Sequence, residues 1–445
     1  MTLSQVIHLL KVGRLKEIDR ETKNKILARS ALDLESMRSE VMKIIEDVKN
    51  RGDEAIIDFY RGFFGREVLT QDNLRVSEDE VREAYEKVSD DLIKALEIAR
   101  KNIEVFHKSQ LPKETWFTEV VSGVLVGQIW RPIDSVGIYV PGGKADYPST
   151  ALMLAVPAKV VGVSRIVAVT PPKPDGSVSP ATLVALDLAG VKEIYRVGGA
   201  HAIAALAYGT QTIKKVRKVV GPGNIWVAAA KHLLKGVVDI EFIAGPSEVL
   251  ILALDDAEPE YVVRDLIAQA EHDQLASAVL VTTSPELASK VVAKLGELVR
   301  EVPRNEIIRE ALSNYGAILV AEDLDEALEF VNEYAPEHLE ILTNNVSKAL
   351  NILSRVRNAG SIFLGNNTPV AMGDYITGAN HTLPTGGNAA TRGSLSVFDY
   401  IKIIDVQIVN EEGIKKLGPH AITIASSEGL YNHAESIKVR LSKIS

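Results

Sequence analysis

A glutamate and a histidine stand side by side at Glu337 and His338, in the run YAPEHLEI, where a helical pattern stops and a strand-like one begins. Such a pair can work as acid and base. An imidazole titrates near neutrality, and a carboxylate beside it can activate water or tune the ring. Two solvated side chains in a connection would read the same way. Pro336 keeps Ala335 out of the helical region, so the helix LDEALEFVNEY ends there and HLEILT begins. Adjacent strand residues face opposite ways, so both groups serve one site only if the chain is still irregular at this point.

Further nitrogen and oxygen donors lie in the second half of the chain. Of the nine histidines, His8, His107, His232 and His420 sit in or beside helical segments without a paired acid, and read as structural or surface residues. LIAQAEHDQLAS puts Gln269 and His272 three apart on a predicted helix, hence on one face near its end. Spacing alone favours Glu271 over the weaker ligand Gln269, and a polar helix end carrying a dipole-favoured His explains the stretch equally well. GDYITGANH supplies Asp374 and His381 after the strand SIFLGN, at the carboxyl end where open α/β sheets bind ligands. SEGLYNH supplies Glu428 and His433, whose plain alternative is a solvated final helix. Gathered together, these groups would make a metal site of three or four N/O ligands with an open position.

Three glycine loops, VPGGKADYPS, VGGAHAIAAL and VVGPGNIWVAAA, each join a strand end to a helix start, the place where backbone N–H groups and the helix dipole receive phosphate. Three such loops suggest a nucleotide. None fits the dinucleotide fingerprint, since Trp226 stands where its third glycine belongs, and close strand-to-helix packing explains any one of them. In AGPSEV, Ser247 follows a Gly-Pro turn and could cap, turn or touch a ligand.

The elements that must position these groups follow from pattern. Residues 1–130 read as charged helices, with a short amphipathic segment at the start and a hairpin around Ser122-Gly123. From Pro132 onward, short apolar strands alternate with helices in two series, which implies parallel sheets covered on both faces. The expected architecture is α/β: two doubly wound, Rossmann-like parallel-sheet domains at 131–242 and 243–375, the first inserted before the second. The helical N-terminal region joins the second domain, and an extended loop and helical tail fill 376–445. The unpatterned stretch from Gly365 to about Ser394 is long enough to be functional or disordered, and Asp374 and His381 favour function.

Bulk properties exclude several classes among the 445 residues. A net charge of −9 argues against a protein built to neutralise nucleic-acid phosphates, and no apolar run is long enough to span a bilayer. The start lacks the pattern of an export signal, so a cytoplasmic location is expected. Cysteine is absent, which removes disulfides, thiolate–zinc sites and thioester chemistry.

VPGGKADYPSTALMLAVPA, VGGAHAIAALAYGT, GPGNIWV, AGPSEVL, QAEHDQLAS, YAPEHLEI, GDYITGANHTLPT and EGLYNHAESIKVR together resemble the histidinol dehydrogenase family, in the same order from about residue 130 to the end. The resemblance implies a zinc- and NAD-dependent enzyme of histidine biosynthesis that oxidises L-histidinol through L-histidinal to L-histidine with two NAD. By the same likeness Glu337 and His338 match the acid/base pair, and Gln269, His272, Asp374 and His433 the zinc ligands. Those four, with Ser247, His338 and Glu428, match substrate contacts, while Tyr139, His201 and Asn224 match contacts to NAD. The family's homodimers share active sites through the C-terminal tail, so His433 and Glu428 are expected to serve the other subunit. One position departs: the family's GGAQAIAAL carries His201 here. The rival expectations are a related dehydrogenase of another amino alcohol or polyol and, from another class, a metal-binding solute receptor, which should carry an export signal.

Overall fold

A computed structural model describes residues 10–30, 32–143 and 145–444. His8, most of the expected amphipathic start and Lys144 of the first glycine loop lie outside the described residues. The strands are, in chain order, β1 (Lys11–Arg14), β2 (Thr115–Val121), β3 (Val124–Pro132), β4 (Ser135–Tyr139), β5 (Arg165–Thr170), β6 (Glu193–Arg196) and β7 (Lys218–Val220), followed by β8 (Asp239–Ile240), β9 (Glu248–Ala253), β10 (Ser277–Thr282), β11 (Ala317–Val320), β12 (His338–Leu342), β13 (Ser361–Leu364) and β14 (Ile401–Val409).

They form three sheets. A five-stranded parallel sheet runs β6-β5-β4-β7-β8, and a six-stranded parallel sheet runs β1-β11-β10-β9-β12-β13. The central strands SVGIY, EVLILA and SAVLVT are buried at every position, as expected where helices cover both faces and no solvent side exists to alternate with. The third sheet is the antiparallel set β14-β3-β2, in which the expected hairpin turns at Ser122-Gly123 and β14 pairs Ile401–Val409 with Val124–Pro132.

Strand β1 pairs in parallel with β11 at the sheet edge, a role its four residues do not announce in sequence. The N-terminal region therefore divides by packing. Leu15 and Ile26 join the core of the six-stranded sheet, whereas helices Leu34–Arg51 and Asp53–Phe64 pack Val41, Ile45, Ile56 and Tyr60 against the five-stranded sheet. The stretch from Gly365 to Ser394 is not structureless: it contains helix Val370–Tyr375 and a 3-10 turn at Asn388–Ala390.

Candidate active site

Helix Leu324–Tyr334 begins on Asp323, whose side chain accepts the Glu326 N–H, and ends at Ala335, held in the left-handed region at φ 47°. For a residue bearing a Cβ this costs about 1–3 kcal/mol and persists only when the surroundings require it. Pro336 follows, Glu337 occupies a bend, and His338 opens β12, so both side chains turn inward and are about 5% exposed or less. The irregularity needed to aim neighbours at one site is present.

His338 Nδ1 lies 2.8 Å from the Glu248 carbonyl oxygen. A carbonyl only accepts, so Nδ1 carries the hydrogen and the free lone pair of the neutral ring is on Nε2. Nε2 is buried without a hydrogen-bond partner and sits 3.7 Å from Asp374 Oδ1, an electrostatic contact too long for a hydrogen bond. Burial disfavours the imidazolium, but the Glu337 and Asp374 carboxylates outweigh it and raise His338 well above its ordinary range. A cation on Asp374 would engage one of those carboxylates and bring the ring back toward neutrality.

Asp374 lies on helix Val370–Tyr375, which folds back over the sheet, with Gly373 so close to the Phe363 ring that no Cβ fits. The site is thus at the amino edge of β9, β12 and β13, and the expectation that Asp374 marks the carboxyl end is corrected. Burial would raise Asp374, yet the imidazoles of His338, His381 and His272 hold it below the usual carboxylate range. His381 supports it: Nδ1 donates to the Asp374 carbonyl at 2.9 Å, and Nε2 meets Thr150 Oγ1 at 3.2 Å. Thr150 belongs to helix Pro148–Val160 of the other parallel-sheet unit, so the amino edge is closed by the neighbouring unit.

Gln269 lies within helix Pro259–Ala270, 3% exposed, with its amide nitrogen unpaired. The helix stops at Ala270, so His272 is not on it as expected; it occupies the following turn, its N–H reaching the Gln269 carbonyl at 3.3 Å. Ser247 is half-buried just ahead of β9, and its carbonyl accepts the Ser277 N–H at 3.1 Å. Glu428 and His433 are exposed on the helical hairpin of Glu411–Ser427 and Tyr431–Ile444, and among the described residues no hydrogen bond or ion pair joins them to this site. Also among the described residues, no three His, Cys, Asp or Glu of the single chain are set to hold a metal ion.

Two groups at the site escaped the sequence reading. Glu248 is 2% exposed and touches the pair three times. Its N–H donates to Glu337 Oε2 at 2.7 Å, its carbonyl receives His338 Nδ1, and its Oε1 accepts the Glu337 N–H at 3.1 Å. The same Oε1 accepts from Arg29 Nη1 at 2.7 Å, and the Arg29 guanidinium lies 3.6 Å over the Tyr334 ring. Burial and the Glu337 charge push Glu248 up to about 7 against the opposing pull of Arg29. Breaking such a buried ion pair from one side costs about 3–5 kcal/mol. The second is Glu340, whose Oε1 accepts the Val370 N–H at 2.8 Å and so ties β12 to the helix of Asp374. Burial and the neighbouring Asp265 carboxyl push Glu340 upward, which favours a proton shared between the two acids. The one sequence signal for either was a charged residue inside a buried apolar strand.

The glycine loops gather at the carboxyl edge of the five-stranded sheet. Three backbone donors of the second and third loops have acceptors within the chain: the Gly198 N–H is met by Tyr60 Oη at 2.8 Å, the Gly199 N–H by Tyr139 Oη at 3.2 Å, and the Gly221 N–H by Glu241 Oε1 at 2.7 Å. Asn224 caps the next helix, accepting the Trp226 and Val227 N–H groups. These three amides are therefore engaged within the chain itself. Gly221, at φ 122°, packs against the Tyr139 carbonyl where no Cβ fits, which explains that glycine by close approach.

His201 is buried with its ring stacked on Phe59, centroids 4.0 Å apart, and burial lowers it to about 4 despite Asp47. The unfolded chain binds a proton there from its ordinary 6.5 down to about 4 while the folded chain does not, so stability rises with pH across that window. His201→Gln is accordingly expected to flatten the fall in melting temperature on acidification through this range, as followed by thermal unfolding at stepped pH.

The chain matches known proteins along nearly its whole length. A family model described as histidinol dehydrogenase covers residues 27–441. Histidinol dehydrogenase of Methanothermobacter thermautotrophicus is 49% identical over 428 residues, 96% of this chain and 99% of that one. That of Methanocaldococcus jannaschii is 46% identical over 430 residues, 97% and 98% of the two chains. The crystal structure of histidinol dehydrogenase from Elizabethkingia anophelis superposes with a TM-score of 0.93 at 37% identity, covering 98% of this chain and 99% of that one. By this extent of likeness the chain belongs to the histidinol dehydrogenase family, NAD-dependent oxidoreductases of histidine biosynthesis.

Proposed function

We propose that Glu337 and His338 carry the two proton transfers by which L-histidinol becomes L-histidine through L-histidinal, with zinc at the Asp374 end of the site and two NAD consumed. The observation that carries this reading is the tautomer of His338, pinned as donor at Nδ1 by the Glu248 carbonyl and left with an unpartnered Nε2. The donor set suits zinc. Gln269 has a buried amide without a partner, and Asp374 lies in the field of the His272 imidazole. The fourth ligand of the proposed set is His433 of the partner subunit. Bound there, zinc supplies a fixed anchor for the amino and imidazole nitrogens of the substrate, and NAD at the Tyr139, His201 and Asn224 edge supplies the hydride acceptor.

His338 Nε2 takes the hydroxyl proton as hydride leaves the carbinol carbon, giving the aldehyde. With no cysteine in the chain the aldehyde is not held as a thioester, so it passes through its hydrate. Glu337 takes a proton from water as it adds. His338 returns its first proton to the former carbonyl oxygen, which completes the diol, and then accepts a diol proton as the second hydride passes to a fresh NAD. Ser247 of the same chain, together with Glu428 of the partner subunit, completes the contacts to the substrate.

The partner is a second copy of this chain. In β14, neighbouring residues Ile403 and Ile404 face opposite ways and are 51% and 41% exposed, so the described residues cover neither face of this strand there, and Trp116, Phe117 and Tyr431 are also exposed. That surface and the tail hairpin, which carries Glu428 and His433, fit a homodimer whose tails cross. No helix among the described residues is long and apolar enough to cross a membrane, and the cytoplasm is the proposed location.

Purified protein with zinc, NAD and L-histidinol is expected to release two NADH per histidinol consumed. One NADH would instead favour the rival alcohol dehydrogenase of another amino alcohol, and none would remove the assignment. Glu337→Gln is expected to slow oxidation of supplied histidinal about a hundredfold while affecting histidinol oxidation less. Equal losses in the two half-reactions would refute the separate role of Glu337.

A further inference from the structure

We propose that Arg29 and Glu248 are positioning residues for the second oxidation: Arg29 holds Glu248 as a charged acceptor, and Glu248 in turn leaves one carboxylate oxygen of Glu337 free to meet water. The proposal rests on the Glu337 role given above and extends it to a pair with no assigned part in the reaction.

Glu337 Oε2 is engaged by the Glu248 N–H, while Oε1 makes no hydrogen bond among the described residues. Glu248 and Glu337 are tied reciprocally, each carboxylate accepting the other's backbone N–H at 3.1 and 2.7 Å, and the Glu337 charge favours a proton on Glu248. A protonated Glu248 would gain a donor to turn toward Glu337 and capture the oxygen needed for water. Arg29 prevents it by holding Glu248 Oε1 in an ion pair whose side chains are 3% and 2% exposed, and the Tyr334 ring fixes the guanidinium from the other side. Tyr334 is itself tied through its hydroxyl to Ser277 Oγ at 2.9 Å, so the whole stack is anchored across the amino edge of the sheet.

The backbone points the same way. Among the described residues the non-glycine positions with positive φ are Arg29, Arg304 and Ala335. Two of these three serve this cluster: Ala335 aims the pair, and Arg29, at φ 54°, ends helix Arg20–Ala28 so that its side chain turns inward. A residue without side-chain duty at Arg29 would be better as glycine. Arg29 thus carries a contribution to catalysis from a segment far in sequence from every candidate ligand.

The test uses the zinc-loaded full chain and the variants Arg29→Met, Glu248→Gln and the double Arg29→Met/Glu248→Gln. Measurements are kcat for histidinol and for supplied histidinal, KM for NAD, zinc content and melting temperature. Each variant is expected to lower kcat for histidinal about ten- to a hundredfold, with a smaller loss for histidinol and with KM for NAD and zinc content unchanged. The double variant removes the unpaired buried charge, so its melting temperature recovers while the ratio of the two half-reactions stays skewed. Arg29→Lys, which keeps the charge, should restore part of the histidinal rate. A wild-type ratio in the folded double variant would overturn the proposal, as would a melting temperature and half-reaction ratio that recover together. A wild-type enzyme that fails to release two NADH per histidinol would sink the underlying reading instead, so the two failures are told apart.

Discussion

His338→Ala is expected to lower NADH formation from histidinol about a hundred- to ten-thousandfold, and to lower oxidation of supplied histidinal as severely. Both oxidations lose a hydroxyl proton, and the base proposed for each is His338 Nε2, buried without a hydrogen-bond partner 3.7 Å from Asp374 Oδ1. The loss should fall on kcat, with zinc content retained, because His338 is not among the proposed ligands. Stopped-flow absorbance of NADH with each substrate, alongside metal analysis, checks both halves. A variant that oxidised histidinal normally would show that a different group accepts the second proton. His338→Gln is a useful companion, since its amide can still donate to the Glu248 carbonyl while offering no basic nitrogen, so it should fold well and remain as inactive.

His433→Ala and His272→Ala should each abolish activity and weaken zinc binding, yet their mixture should regain it. Among the described residues of one chain no three His, Cys, Asp or Glu are set to hold a metal ion, and His433 is exposed on the tail hairpin, so the proposed site needs the partner's tail. If tails cross, a mixed dimer has one site with both defects and one with neither. With free subunit exchange half the dimers are mixed, so activity should return to about a quarter of the wild-type rate. No recovery after exchange has been verified by tagged subunits would place His433 in its own chain's site or in none.

Much of this was legible in the sequence because the patterns are strong. Runs dominated by aliphatic residues, such as EVLILA and SAVLVT, declare buried parallel strands, and the glycine-ended loops declare where strand gives way to helix. The shared inward turn of Glu337 and His338 was legible because proline and a helix stop make their neighbourhood irregular. Other features were not. The edge strand β1 is too short to show alternation, and its partner β11 is about three hundred residues away, so only the fold reveals it. The end of helix Pro259–Ala270 fell short of His272, a boundary that spacing does not fix. Arg29 and Glu248 look like ordinary charges until long-range packing buries them against each other. The return of Asp374 to the amino edge likewise depends on a turn after β13 that carries no periodic signal, and on Glu340 reaching across to Val370.

The satisfied amides of the glycine loops bear on how the enzyme cycles. A four-electron oxidation with a two-electron carrier must discharge one reduced dinucleotide and admit a fresh one while the aldehyde waits. A rim whose N–H groups at Gly198, Gly199 and Gly221 are already spent on Tyr60, Tyr139 and Glu241 has fewer hooks for a diphosphate. On the reading proposed above, such a rim favours quick exchange of the carrier while the small molecule is retained at the buried Glu337–His338 site.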